Sequence, residues 1–238
     1  MKASWSKLLW HWLWPEICAH YREDLPRGAG EPLCRTCRPK LVPSEPPFCL
    51  RCAAPVKAYR THCRSCASRL HACGLIRSAF LYQGPAVSVV HAFKYRGRRP
   101  AGEAAGAWMA QAWGRFPELG KPDALVPVPL HPRRLRRRGY NQALLLAERL
   151  SAATGIPLRE MLRRRQDTKP QWALGRRQRL KNLEGAFEAE PARGARLLLV
   201  DDVCTSSASL EACARALQEA EAAWVRAFVF ARQARFSP

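Results

Sequence analysis

The sequence predicts an α/β chain in two parts, a small cysteine-rich metal module followed by a parallel or mostly parallel sheet with helices. Three observations carry this. Six of the ten cysteines form Cys-x-x-Cys pairs, all before residue 74. From Leu75 onward, short apolar runs alternate with longer stretches of helical periodicity, the pattern of parallel strands joined by crossover helices. Leu197–Val200 is apolar and too short for a helix; two adjacent acids, Asp201 and Asp202, then a run of hydroxyls and a helical stretch follow it.

The chain has 238 residues, enough for one medium α/β domain plus a module. The spacing divides it at residues 1–74 and 75–238. Residues 15–73 are rich in Cys, Pro and Arg, with little apolar periodicity, and need metal staples in place of a normal core. Cys49-x-x-Cys52 and Cys63-x-x-Cys66 stand ten residues apart, a spacing that closes one tetrahedral zinc site on four thiolates. Cys34-x-x-Cys37 is a third pair. Cys18 and His20 upstream are its candidate partners for a second zinc, although Cys-x-His is not the usual knuckle, and the alternative is a pair that only packs. Four protein thiolates leave no open coordination position, so the expected role is structural and chelation is expected to unfold residues 15–73 while sparing the later domain. His62, His71 and Cys73 read as bystanders.

The elements follow in order. Met1–Trp14 carries four tryptophans among leucines and reads as a helix packed on the module, or a contact for a membrane surface or partner. His11 breaks its apolar run and no small-residue cleavage site follows, so it is a poor signal peptide. No run approaches the ~20 residues of a transmembrane segment, and the expected location is cytoplasmic. Ile76–Tyr82 reads as a strand, Ala86–Tyr95 and Ala101–Trp113 as helices, Ala124–Val128 as a strand and Asn141–Thr154 as a helix. Arg163–Asn182 reads as a basic, loop-rich stretch. Then come the strand Leu197–Val200, the loop Thr205–Ser209, a helix over Leu210–Glu221 and a closing strand over Trp224–Phe230.

Two stretches carry chemistry. Acids at a strand's carboxyl end accept hydrogen bonds from sugar hydroxyls, and backbone N–H groups at the following helix start hold phosphate. Asp201 and Asp202 with Thr205, Ser206, Ser207, Ala208 and Ser209 therefore read as a sugar-phosphate site; the plain alternative is a β-loop-α corner with surface acids. The second stretch is Leu125–His131 followed by Arg133, Arg134, Arg136, Arg137 and Arg138. A buried strand running into a Pro-bounded turn and five arginines suits pyrophosphate or a phosphate backbone, where the alternative is a solvated basic loop. Formal net charge is +21, with 40 Lys+Arg against 19 Asp+Glu, which points to a polyanionic partner, nucleic acid first. Arginine far outnumbers lysine, as a basic compositional bias would also produce.

Val200-Asp201-Asp202-Val203-Cys204-Thr205-Ser206-Ser207-Ala208-Ser209 resembles the phosphoribosyl-pyrophosphate (PRPP) motif of type I phosphoribosyltransferases, with Ser207 where that motif has glycine. Beyond it, the stretches Phe93–Gly97, Val126–Leu130, Arg138–Gln142, Thr168-x-x-Gln171, Arg179-x-x-Asn182 and Gly185–Phe187, with the knuckles, resemble the ComF/GntX family over essentially the whole chain. The first knuckle, Cys18 to Tyr21, is degenerate. The resemblance implies a type I phosphoribosyltransferase-like, Rossmann-like fold and a part in DNA uptake during natural transformation. Its partners would be single-stranded DNA, the competence helicase and the strand-loading protein. It also implies PRPP or a related sugar phosphate with Mg2+, the phosphate on Thr205–Ser209, ribose on Asp201 and Asp202, and pyrophosphate on arginines such as Arg133, Arg137 and Arg138. The other reading is an active phosphoribosyltransferase of nucleotide salvage or metabolism; no base-recognition hood names an acceptor.

Overall fold

The computed structural model describes residues 16–26, 30–57, 61–67, 71–165, 183 and 185–234. Its strands are β1 (Ile76–Leu81), β2 (Ala124–Pro127), β3 (Leu162–Arg164), β4 (Phe187–Ala189), β5 (Arg196–Cys204) and β6 (Trp224–Arg232). Its α-helices are α1 (Arg64–Ala67), α2 (Pro85–Tyr95), α3 (Arg99–Trp113), α4 (Pro132–Arg138), α5 (Gln142–Thr154) and α6 (Ala208–Glu219). Four strands make one parallel sheet in the order β1-β6-β5-β2, and β3 and β4 form a separate antiparallel pair.

The inner strands are apolar in succession because both faces of the sheet are covered. Alternate residues serve the two sides. Leu198, Val200, Phe228 and Phe230 pack with Val89, Phe93, Trp108, Met109, Leu146 and Leu150 from α2, α3 and α5. Leu197, Leu199 and Val229 share the opposite core with Leu162 and Phe187 of the small sheet and Leu210, Cys213 and Leu217 of α6. Helices α3 and α5 approach closely over Gly102 and Gly106; a Cβ on Gly106 would lie 2.7 Å from Arg149 Cβ and 3.2 Å from the Leu146 carbonyl.

The cysteine-rich module is built into this core. Phe48, Leu33 and Leu41 lie in the first cluster, and Cys49, Cys52, Cys66 and Cys73 in the second. Ser44 N–H donates to the Ala79 carbonyl at 3.1 Å, and Leu81 N–H to that of Val42 at 2.8 Å, so residues 42–44 cover the free edge of β1. The outer edge of β2 is covered by residues 157–159.

Several boundaries differ from the sequence expectation. β5 continues through both acids to Cys204, because its ladder with β6 persists as Asp201 opposite Val229 and Cys204 opposite Arg232. β6 accordingly ends at Arg232, past Phe230. Helix α6 begins at Ala208, so Ala208 and Ser209 belong to its first turn and the loop shrinks to Thr205–Ser207. The start of the basic stretch is strand β3, held by Arg164 opposite Phe187; residues 166–182 lie outside the described part. The arginine run is a helix, not a loop. His131 caps it by accepting from Arg133 N–H at 3.3 Å, Pro132 starts it, and Gly139 at φ 79° ends it.

Candidate functional site

The carboxyl end of β5 gathers the groups that the sequence singled out. Adjacent residues of a strand face opposite sides, so the two acids diverge. Asp202 is buried and pairs with Lys94 of α2, Nζ to Oδ1 at 2.7 Å. Asp201 has its carboxyl raised from 3.8 to about 7, first by burial and then by the charge of Asp202, against the pull of Lys94 and Arg164. Each acid also accepts from the backbone: Asp201 Oδ1 from Asp202 N–H at 2.8 Å and Asp202 Oδ1 from Val203 N–H at 2.5 Å.

The turn that follows is tight. Ser207 sits at φ 62°, ψ 3°, the left-handed conformation natural to glycine, and is the N-cap residue of α6 without a side-chain cap bond. Its hydroxyl lies 3.2 Å from Cys204 Sγ. Ser206 is buried, and Thr205 is half-buried. A strand end, two acids and a short turn into a twelve-residue helix therefore stand together, a geometry suited to a phosphorylated sugar.

The arginine helix reaches this corner through the end of α2. Phe93, Lys94 and Tyr95 are consecutive and each makes one link. The Phe93 carbonyl accepts from the Tyr140 hydroxyl, Lys94 holds Asp202, and the Tyr95 ring lies 5.3 Å from the Arg138 guanidinium carbon. Arg138 Nη1 also donates to Gln142 Oε1 at 2.9 Å, while Arg133 and Arg137 are exposed. Asn141 caps α5 by accepting from Ala143 N–H at 3.1 Å and ties back to the Val128 carbonyl at 3.2 Å. The Arg-Gly-Tyr-Asn-Gln stretch thus anchors α4 and α5. Lys94 is the site residue that sequence reasoning missed, though the Phe93–Gly97 stretch was singled out. The available signal was a lysine next to buried Phe93 on a helix that is mostly apolar.

Two cysteine clusters form in the module. The four sulfurs of Cys49, Cys52, Cys63 and Cys66 all lie within 4.8 Å of one another, with Cys52 and Cys63 at 3.7 Å. Zn–S bonds of about 2.3 Å in a tetrahedron place sulfurs roughly 3.8 Å apart, so the set fits zinc. Cys18, Cys34 and Cys37 make a second cluster within the same limit. His20 is not brought into it: its Nδ1 bonds Ser88 Oγ at 2.9 Å. Burial pushes the Cys37 thiol up to about 12, which disfavours a thiolate unless a cation shares the site. His71, read as a bystander, forms a pair with buried Glu211 of α6 at 2.7 Å, and Glu211 also accepts from Ala72 and Cys73 N–H.

Comparison with known proteins agrees with this layout. Residues 9–67 match the double zinc ribbon domain. Competence protein ComFC of Bacillus subtilis is 31% identical over 85% of this chain and 85% of its own length. The chain belongs to the competence protein F family. Competence protein F of Haemophilus influenzae is 28% identical over 85% of this chain and 90% of its own length, and the DNA utilization protein YhgH of Escherichia coli K12 is 28% identical over 92% and 97%. Among solved structures, UMP synthase of Leishmania donovani superposes with a TM-score of 0.32 at 16% identity, covering 59% of this chain and 24% of that one, a likeness too loose to carry weight. The competence protein F family thus accounts for the ribbon and the α/β part together. No described helix is long and apolar enough to cross a membrane. Thr168, Gln171, Arg179 and Asn182 of the matching stretches lie outside the described residues, as does the Trp-rich start.

Proposed function

We propose that this protein handles single-stranded DNA in the cytoplasm during DNA uptake, and that it carries a PRPP-type sugar-phosphate site at the junction of β5 and α6. The observation that carries the reading is the corner itself: Asp201 and Asp202 on β5, a left-handed turn at Ser207 and the start of α6, with Lys94 on Asp202. Backbone N–H groups of the Thr205–Ser207 turn and the first turn of α6, with Ala208 and Ser209, would receive the 5-phosphate. The two carboxylates would accept from ribose hydroxyls, and Lys94 would hold Asp202 in place beside them. Arg133, Arg137 and Arg138 on α4 would meet the pyrophosphate or a DNA backbone. Mg2+ arriving with PRPP would add charge neutralisation at the pyrophosphate.

The relatives' names, competence proteins and DNA utilization proteins, support a DNA role, and a net charge of +21 suits a polyanionic ligand. A competence helicase and a strand-loading protein are the expected partners. Calorimetric titration with PRPP, with and without Mg2+, tests the site. Wild type is expected to bind, and the Asp201→Asn/Asp202→Asn variant to lose binding while keeping its circular dichroism spectrum. Equal binding by both would remove the site from this reading.

A second reading, an active phosphoribosyltransferase, is favoured by Asp201, a carboxyl raised to about 7 beside another acid, the kind of perturbed group that catalytic sites contain. Single-turnover release of pyrophosphate from PRPP with each common nucleobase distinguishes the two. Release with any base establishes the enzyme; release with none, together with PRPP binding, leaves a binding protein.

A further inference from the structure

Arg232 ends β6, is 5% exposed, and has no carboxylate partner among the described residues. A buried guanidinium needs an anion or a full set of acceptors. Its acceptors come from two places. Nη1 donates to the Cys204 carbonyl at 2.9 Å, Cys204 Sγ at 2.7 Å and the Thr205 carbonyl at 3.0 Å, with Ser207 Oγ at 3.5 Å. Nη2 donates to Cys52 Sγ at 3.5 Å, and Nε has no hydrogen-bond partner among the described residues. One guanidinium therefore spans the turn before α6 and a ligand of the four-cysteine centre.

The electrostatics give this bridge a direction. A divalent ion under four thiolates is net negative, so a metal-loaded Cys49/Cys52/Cys63/Cys66 centre supplies the counter-charge that no described carboxylate gives. Arg232 then has a fixed position, from which its other branch holds two carbonyls and the Ser207 hydroxyl of a turn that is conformationally costly for a non-glycine residue.

We propose that Arg232 is a positioning residue that couples the zinc centre to the Cys204–Ser207 turn: the metal site neutralises Arg232, and Arg232 holds the turn in shape. A module expected to act only as a staple thus acts on the candidate site through Arg232, 180 residues further along the chain from Cys52. The functional meaning of the coupling rests on the turn being a phosphate loop, but the coupling itself does not.

The experiment uses zinc-loaded full-length wild type, Arg232→Gln and Arg232→Lys. It follows zinc release to a coloured chelator, amide hydrogen exchange over residues 203–208, and the thiolate-to-metal charge-transfer band of Co2+-substituted protein. Arg232→Gln is expected to release zinc about tenfold faster because the thiolates lose their counter-charge. It should also exchange faster over 203–208, with β2 residues 124–127 as wild type, and shift the cobalt band. Arg232→Lys should restore zinc retention but not protection of the turn, since an ammonium cannot fork between a thiolate and two carbonyls. Wild-type zinc release in Arg232→Gln overturns the coupling, as does faster release with an unchanged turn. Should Arg232→Gln fail to fold, Arg232→Lys decides alone: wild-type protection of 203–208 in that variant overturns the proposal. None of these readouts involves PRPP or DNA, so a failed PRPP titration leaves the coupling standing, and a failed coupling leaves the site.

Discussion

Asp201 titrates in the folded chain near 7 instead of 3.8, because burial and the adjacent Asp202 both oppose its charge. Between these values the folded state holds a proton that the unfolded state has lost. The stability contributed by Asp201 is therefore fully present below about pH 3.8 and is lost as pH rises through about 7. Asp201→Asn escapes that loss, so its unfolding free energy should gain on wild type by on the order of 2 kcal/mol from acid to neutral pH, after screening. Urea unfolding at both ends of the window measures it; a constant difference would mean that Asp201 titrates normally. At Ser207, two effects oppose. Glycine relieves the left-handed φ of 62° but gives up the hydroxyl near Cys204 and Arg232. Ser207→Ala keeps the strain and loses the hydroxyl. It should cost about 1 kcal/mol, and Ser207→Gly should lie within about 1 kcal/mol of wild type and bind phosphate more tightly, by easier backbone approach. Denaturant midpoints and PRPP titration of the two variants check this.

At the scale of elements, the sheet corner depends on α3 and α5 lying close, since α5 follows the arginine helix and packs toward β5. Gly106 makes that approach possible. Gly106→Ala gains helix propensity of about 1 kcal/mol but drives a methyl group against Arg149 Cβ and the Leu146 carbonyl. A Cβ and a carbonyl are both fixed by the backbone of α5, so neither yields without moving the helix. The net effect should be a loss of about 1–3 kcal/mol, read as a lowered urea midpoint. A stabilised variant would show that the helices separate freely.

At the scale of the molecule, metal and charge set behaviour. The cysteine-rich module contributes Cys49, Cys52 and Cys66 to the same core as Val225, Ala227 and Val229, and it covers the edge of β1. Chelation is therefore expected to lower the stability of the whole chain, in place of a clean loss of residues 15–73. Thermal unfolding with and without chelator should show the α/β transition move down by several degrees. An unmoved second transition would mean the parts are independent. Single-stranded DNA binding should weaken steeply with salt, with a logarithmic slope of about 0.7 per phosphate contacted. Three or more contacts are expected from α4 and the basic surface around it, and an affinity flat in salt would contradict the electrostatic account.

Order and identity of the sheet-bearing elements were legible in the chain because burial on two faces leaves continuous apolar runs, and the helix start at Asn141 leaves a cap residue. The paired knuckles were legible for a similar reason: zinc geometry imposes a local spacing. By contrast, the ends of β5 and β6 depend on pairing between strands, which carries polar residues such as Asp201, Asp202 and Arg232 into the ladder against their side-chain preference. The same holds for β3 and β4, three residues each, which exist only by pairing with one another. An acid pair before a hydroxyl-rich turn and a helix, and four cysteines able to close on a metal, are written in the order of residues along the chain. That Lys94 meets Asp202, that His20 turns to Ser88 and that Arg232 joins the turn to Cys52 follows from packing in three dimensions. These contacts join residues distant in sequence, and a lone buried charge leaves no periodic trace along the chain, since its partner is chosen by packing alone.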